Sequence, residues 1–168
     1  MLNVSLTALD RGEVVVREQI PMDDPMWEGS GVTLAAPLDV DLTARPVGDG
    51  VFVRGRLRTT VRQACRRCLA SVELEVDDVV DMLFDVLAED EKEAEGEVYP
   101  LPARGDTLDL RDAVREQLLL LAPEFVLCTE ECRGLCPTCG IDRNQDECNC
   151  VPVQAESPWD ALKNVTFD

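Results

Sequence analysis

Histidine is absent from this chain. Its absence removes the most common general base and, with it, Ser-His, Cys-His and His-Glu-x-x-His chemistries. No glycine-rich loop of the phosphate-cradling kind is present either, so the sequence reads as that of a non-enzyme. Aromatic residues are only 4% of the chain, so a core must rest on Val, Leu and Ala. No apolar run approaches the ~20 residues that span a bilayer. Met1-Leu2-Asn3-Val4-Ser5-Leu6 lacks a basic stretch before an apolar one, so no export signal is expected, and the cytoplasm is the expected location.

What is present is acid. The 168 residues carry a net charge of −18, a field that repels phosphate at long range and argues against nucleic-acid binding by the surface as a whole. Hydrophobic content of 45% suffices for an ordinary core.

The expected fold class is α+β: a mostly antiparallel β domain with one main helix and a zinc-bound, cysteine-rich C-terminal segment. Leu2, Val4, Leu6 and Ala8 alternate with polar residues as a strand, and Arg11-Gly12 turns the chain into Val14-Val15-Val16. Residues 21–31, rich in Pro, Gly and acid, read as a loop. Alternation from Leu38 to Ala44, a turn at 46–50, and a strand from Val51 to about Val61 follow. Two further strands are expected, through Val72, Leu74 and Val76 and through Val80 to Val86. Residues 89–97 form an acidic linker, read as a solvated loop. A helix is expected at about 109–121, capped by Thr107 or Asp109 and stopped by Pro123. Ser157-Pro158-Trp159-Asp160-Ala161-Leu162 suggests a short terminal helix. The expected division is a β-rich domain with its packed helix at 1–124, and a zinc-knuckle segment with the terminal helix at 125–168.

Eight cysteines in such a chain point to metal rather than to disulfides. Six fall within 23 residues: Cys128-x3-Cys132-x3-Cys136-x2-Cys139-x8-Cys148-x-Cys150. Cys136-Pro137-Thr138-Cys139-Gly140 has the form of a zinc knuckle, whose x2 spacing lets both sulfurs reach one ion. Gly140 supplies the permissive backbone that turns amides toward sulfur. Cys65-Arg66-Arg67-Cys68 is a second x2 pair at a hairpin tip, with no Gly after it. Proximity along the chain groups Cys136, Cys139, Cys148 and Cys150 as one site and Cys65, Cys68, Cys128 and Cys132 as another, for one or two Zn2+. Four-thiolate sites are closed, so the zinc is expected to be structural, and each filled site carries a formal −2. A redox Cys-x-x-Cys would need a βαβ setting that the pattern lacks.

Six of the fourteen arginines lie between Arg54 and Arg67, a stretch free of acid. Arg54, Arg56 and Arg58 share one strand face and suit phosphate contact, or else pair across the hairpin with acids. A tip centred between Arg66 and Arg67 would set Arg58 opposite Glu75 and Arg56 opposite Asp77. Arg66 and Arg67, on the tip with no acid opposite, are the stronger candidates for contact with nucleic acid or another partner.

These features together resemble the YceD family of large ribosomal RNA subunit accumulation proteins. The residues carrying the likeness are Cys65-Arg66-Arg67-Cys68-Leu69, Leu108-Asp109-Leu110, the run Leu119 to Pro123, and Cys128-x3-Cys132. The most specific are Arg133 to Gly140 with Asn144 and Cys148-x-Cys150, and the closing Pro158-Trp159-Asp160-Ala161-Leu162; the likeness runs over about 38–165. It implies a role in accumulation, processing or assembly of 23S ribosomal RNA, in a family often encoded beside a small zinc-ribbon protein of the large subunit. It carries over no catalytic residue. The expected partner is a large-subunit precursor or a basic ribosomal protein, with direct RNA contact through the arginine-rich hairpin as the alternative. Charge favours the protein partner.

Overall fold

The computed structural model describes residues 2–86, 98–102 and 105–151. In chain order the elements are β1 (Asn3–Ser5), α1 (Leu6–Leu9), β2 (Val14–Ile20), a 3-10 turn (Pro25–Trp27), β3 (Thr33–Leu34), β4 (Leu38–Val47), β5 (Gly50–Ala64), β6 (Ser71–Asp85), β7 (Val98–Pro100), β8 (Thr107–Asp109) and α2 (Arg111–Leu121). The main sheet runs β2-β4-β5-β6-β7, with β3 added to the far end of β5. Its pairings are antiparallel except β6–β7, which is parallel. The short β1 and β8 pair separately. The mostly antiparallel sheet with one main helix is thus as expected.

Strict alternation decides which face closes. Val16, Ile20, Leu38, Val40, Leu42 and Ala44 point inward with Val53, Leu57, Val61, Val80, Met82 and Phe84. Leu108, Leu110, Ala113, Val114 and Leu118 cover them, all nearly inaccessible. Each such side chain contributes about 1.5–3 kcal/mol by leaving water. The opposite sheet face is polar. Gly55 is required within β5, because a Cβ there would lie 2.1 Å from the Asp41 carbonyl oxygen.

Several local expectations are corrected. Residues 2–8 are not one strand: the Ser5 hydroxyl accepts from the Ala8 amide and starts α1. Residues 72–76 and 80–85 belong to one strand, β6, which stays in register through Asp77, Asp78 and Val79 and ends before Val86. The 21–31 loop contains the 3-10 turn, capped by Asp24, which buries Trp27. Arg111 of α2 forms an ion pair with Asp24 there. α2 begins at Arg111 rather than 109, although Asp109 does accept from the Arg111 amide at 2.9 Å. Arg58 stands opposite Asp77, not Glu75, and Arg56 opposite Val79. The acidic stretch 89–97 and the closing segment 157–162 lie outside the described residues. No helix among the described residues is long and apolar enough to cross a membrane.

Candidate metal centres

The 15-residue strands β5 and β6 carry Cys65 and Cys68 out to the hairpin tip. After Pro123 stops α2, the chain returns alongside that tip: the Arg66 amide donates to the Val126 carbonyl at 2.8 Å. Cys128 and Cys132 are thereby brought to the tip cysteines. Cys65 and Cys132 sulfurs are 3.7 Å apart, and Cys68 and Cys128 sulfurs 3.5 Å. Cys65, Cys68 and Cys132 are buried and form a small core of their own with Val72 and Leu135.

The second cluster gathers Cys136, Cys139, Cys148 and Cys150, and in each cluster all four sulfurs lie within 4.8 Å of one another. All eight thiols are free. The separations suit a shared ion: bonds of ~2.3 Å set sulfurs on a tetrahedron with edges of ~3.8 Å, whereas a disulfide needs ~2.05 Å. Both clusters could hold a metal.

The two knuckles have the same internal wiring. The Leu69 amide donates to the Cys65 carbonyl at 2.9 Å, and the Gly140 amide to the Cys136 carbonyl at 2.9 Å. The residue after the second cysteine is left-handed in both, Leu69 at φ 62° and Gly140 at φ 75°. For a leucine that conformation costs roughly 1–2 kcal/mol. The leading sulfur of each knuckle is an amide acceptor. Cys65 is held down to about 6, chiefly by the Cys68 amide, with further amide donation from Cys128 and Arg67 outweighing burial. Cys136 is held down to about 6 by the Cys139 and Thr138 amides. Other sulfurs are driven upward. The Ala70 amide pulls Cys68 down, but burial and the neighbouring sulfurs prevail and push it up to about 12. Cys150 is pushed up to about 12 by the Cys139 sulfur and burial. The lowered sulfur in each cluster, Cys65 or Cys136, is thus set apart from its raised neighbours.

Asn144 braces the first cluster from the loop that carries the second. Its side-chain oxygen accepts from the Arg133 amide at 2.7 Å, and its NH2 donates to the Cys132 sulfur at 3.4 Å and to Asp142 at 2.7 Å. Asp142 also accepts from the Asn144 amide and from Gln145, and its carboxyl is held below the usual carboxylate range, mainly by that amide. Gly134, at φ 70°, lets the Leu135 amide reach the Arg67 carbonyl at 2.9 Å. A Cβ on it would sit 2.8 Å from that oxygen.

The family model described as "Large ribosomal RNA subunit accumulation protein YceD" matches residues 53–166, from within β5 through both clusters. The chain belongs to the YceD family. The match begins later than residue 38, leaving β1 to β4 outside it. The family's description concerns accumulation of large-subunit ribosomal RNA and names no reaction. Among curated proteins, an uncharacterized protein of Mycobacterium tuberculosis and one of Mycobacterium bovis are each 34% identical over 108 residues, 63% of this chain and 51% of theirs. An uncharacterized protein of Mycobacterium leprae is 28% identical over 110 residues, 62% of this chain and 48% of its own. The chain therefore matches about half the length of these relatives. No solved structure matches it.

In this YceD-family chain the arginine stripe is interleaved with acid. Arg54 meets Asp81 at 3.4 Å, Arg56 meets Asp77 at 3.0 Å and Arg62 meets Glu73 at 2.7 Å. These pairs are half-exposed and contribute roughly 0.2–1 kcal/mol each. From the other side, β4 sets Asp39 opposite Arg58 and Asp41 opposite Arg56, flanking acids that the hairpin reading did not include. Their alternation in the sequence was the signal for them. The tip arginines face backbone: Arg66 donates to the Glu124 carbonyl at 3.2 Å and lies 4.1 Å above the Phe125 ring. Arg67 donates to the Glu130 and Cys132 carbonyls at 3.2 and 2.9 Å.

Proposed function

We propose that the protein is a non-enzymatic cytoplasmic factor of large-subunit biogenesis that promotes 23S ribosomal RNA accumulation by holding a basic ribosomal protein before it meets RNA. Two structural zinc ions, one in each four-thiolate cluster, would maintain its shape, and zinc is favoured because closed all-cysteine sites suit it best. The β-rich part, residues 1–124, carries the acidic sheet face. Of the expected second part, 125–168, the described residues 125–151 carry the cysteines that metal would hold, and they meet the β-rich part at the first cluster.

The observation that carries the reading is the neutralised stripe. Acids on both neighbouring strands flank Arg56 (Asp41 and Asp77) and Arg58 (Asp39 and Asp77), and Asp81 pairs with Arg54 from β6. The arginine-rich strand therefore adds no positive field to a chain at −18. A basic protein is attracted by such a surface and RNA is repelled. One observation favours direct RNA contact instead: Phe125, exposed and stacked under Arg66, is the kind of platform on which single-stranded bases rest.

Association with large-subunit precursors, compared with and without nuclease across a salt series, separates the two. The adaptor reading expects association that survives nuclease, weakens with salt and persists in Arg66→Glu with Arg67→Glu. Metal content is checked alongside, because Arg67 also ties down the Glu130 and Cys132 carbonyls. Nuclease-sensitive association that the double variant abolishes while keeping both metals would replace this reading with direct RNA contact.

A further inference from the structure

The apolar surface beside the first cluster is as distinctive as the charge. After α2 the chain alternates against the hairpin tip: Val126 turns inward at 5% exposure, leaving Phe125 at 77% and Leu127 at 37% exposed. Leu127 precedes Cys128 and Leu69 follows Cys68, and those two sulfurs are 3.5 Å apart, so the leucines flank one sulfur pair. Leu69 is 65% exposed.

Leu69 needs an explanation. It occupies the left-handed position that Gly140 fills in the other knuckle, with the same amide-to-carbonyl bond behind it. Glycine adopts this conformation freely, whereas a branched side chain is strained there. The strained residue covers no core, since most of its surface meets solvent. Strain retained at an exposed apolar side chain points to use of that side chain.

The surroundings specify the kind of partner. Between Glu124 and Cys150 there are six carboxylates, against four guanidiniums when Arg66 and Arg67 of the tip are included. Filled four-thiolate sites would add further negative charge. We infer that Leu69, Phe125 and Leu127 form the docking surface for a basic protein segment that carries apolar side chains, whose cations meet the surrounding acids. This rests on the adaptor reading and locates its contact at the hairpin tip, away from the acidic sheet face.

The test uses the full metal-loaded chain and two labelled synthetic peptides of equal charge, one lysine-rich with interspersed leucines and one with serines in their place. Fluorescence anisotropy should show the leucine peptide binding about tenfold tighter, the factor expected for burying part of two apolar side chains. Leu69→Gly and Phe125→Ser should each remove most of that preference. Leu69→Gly should melt no lower than wild type, since it relieves the strained backbone, so loss of binding would not reflect unfolding. Equal binding of both peptides, or wild-type preference in both variants, overturns the docking surface while leaving an electrostatic adaptor standing. Failure of wild type to bind either peptide removes the adaptor reading itself. Self-association, or binding of a uridine oligonucleotide, that Phe125→Ser abolishes would assign the patch to a second copy or to RNA bases, and either overturns the inference.

Discussion

The two knuckles are alike in backbone and unlike in attachment. Cys65 to Leu69 sits at the end of a long hairpin, with its partner cysteines arriving from across the chain and its sulfurs largely buried. Cys136 to Gly140 finds its remaining ligands within one short loop, and Cys139 is exposed. The first cluster therefore fastens one region to another, while the second shapes only its own loop. Similar spacing in sequence says that a metal can bind; the origin of the ligands decides what the metal does for the fold.

The largest effect should come from removing metal altogether. Residues 128–150 have little apolar core of their own, and in zinc-finger peptides the ion supplies an apparent ~10–16 kcal/mol of folding free energy. After chelation, hydrogen exchange should rise first at 128–150, while β4 to β6 stay protected by their apolar face. Uniform loss across both regions would show that the strands also depend on the metal.

Single ligands should then separate the clusters. Cys132→Ser should lose one metal and free the Arg66 and Leu135 amides from their cross-chain bonds, because Cys132 is buried beside Cys65 and bonded to Asn144. Cys139→Ser should also lose one metal but leave those two amides protected. Equal exposure of them in both variants would mean that the clusters act as one unit.

A smaller contrast lies in two glycines. Gly134→Ala combines a left-handed backbone with a clash against the Arg67 carbonyl and should cost about 2 kcal/mol. Gly140→Ala meets nothing within 4 Å and should cost about 1 kcal/mol. Thermal melts of the metal-loaded variants measure both, and a reversed order would place the tighter junction at the second cluster.

The smallest effect is expected at Asp142. Its carboxyl is lowered in the fold, so its contribution is fully present above the unfolded carboxylate value near 4 and is lost only as pH falls through the lower folded value. Asp142→Asn should speed exchange at 141–147 by the same factor at pH 8 and pH 6. A factor that changes within that window would assign the effect to another group.

Much of this was legible in the sequence. Alternation placed β4 and β5, the Arg11-Gly12 turn with its valine run placed the start of β2, helical spacing with Pro123 placed α2, and cysteine spacing grouped the thiols as the structure groups them. The parity of the arginine ladder was also readable, with even-numbered arginines opposite odd-numbered acids. Its register was not, because the turn was centred on the Cys-x-x-Cys pair. The loop in fact closes from the Cys65 amide to the Ala70 carbonyl, and the left-handed Leu69 shifts the centre toward its C-terminal side. β6 was read as two strands because Asp78 interrupts the apolar alternation while the backbone runs on. Asn144 and Gly134 belonged to a recognised motif, but their roles depend on Cys132 and Arg67, and composition cannot reveal that three-dimensional meeting.

The separation between ligands also sets an order of events as the full chain refolds. Cys65 and Cys132 are 67 residues apart, whereas the second cluster's ligands all lie between residues 136 and 150. Closing the longer loop costs roughly 1.4 kcal/mol more in chain entropy, and it must wait until β5, β6 and α2 have formed and docked. The second cluster can capture its ion locally and at once. Metal uptake during refolding should therefore be biphasic, with a fast local phase and a slow one limited by folding of the sheet, and Cys148→Ser should delete only the fast phase. A refolding chain would thus hold its first metal ion before the hairpin tip and the segment after α2 are joined.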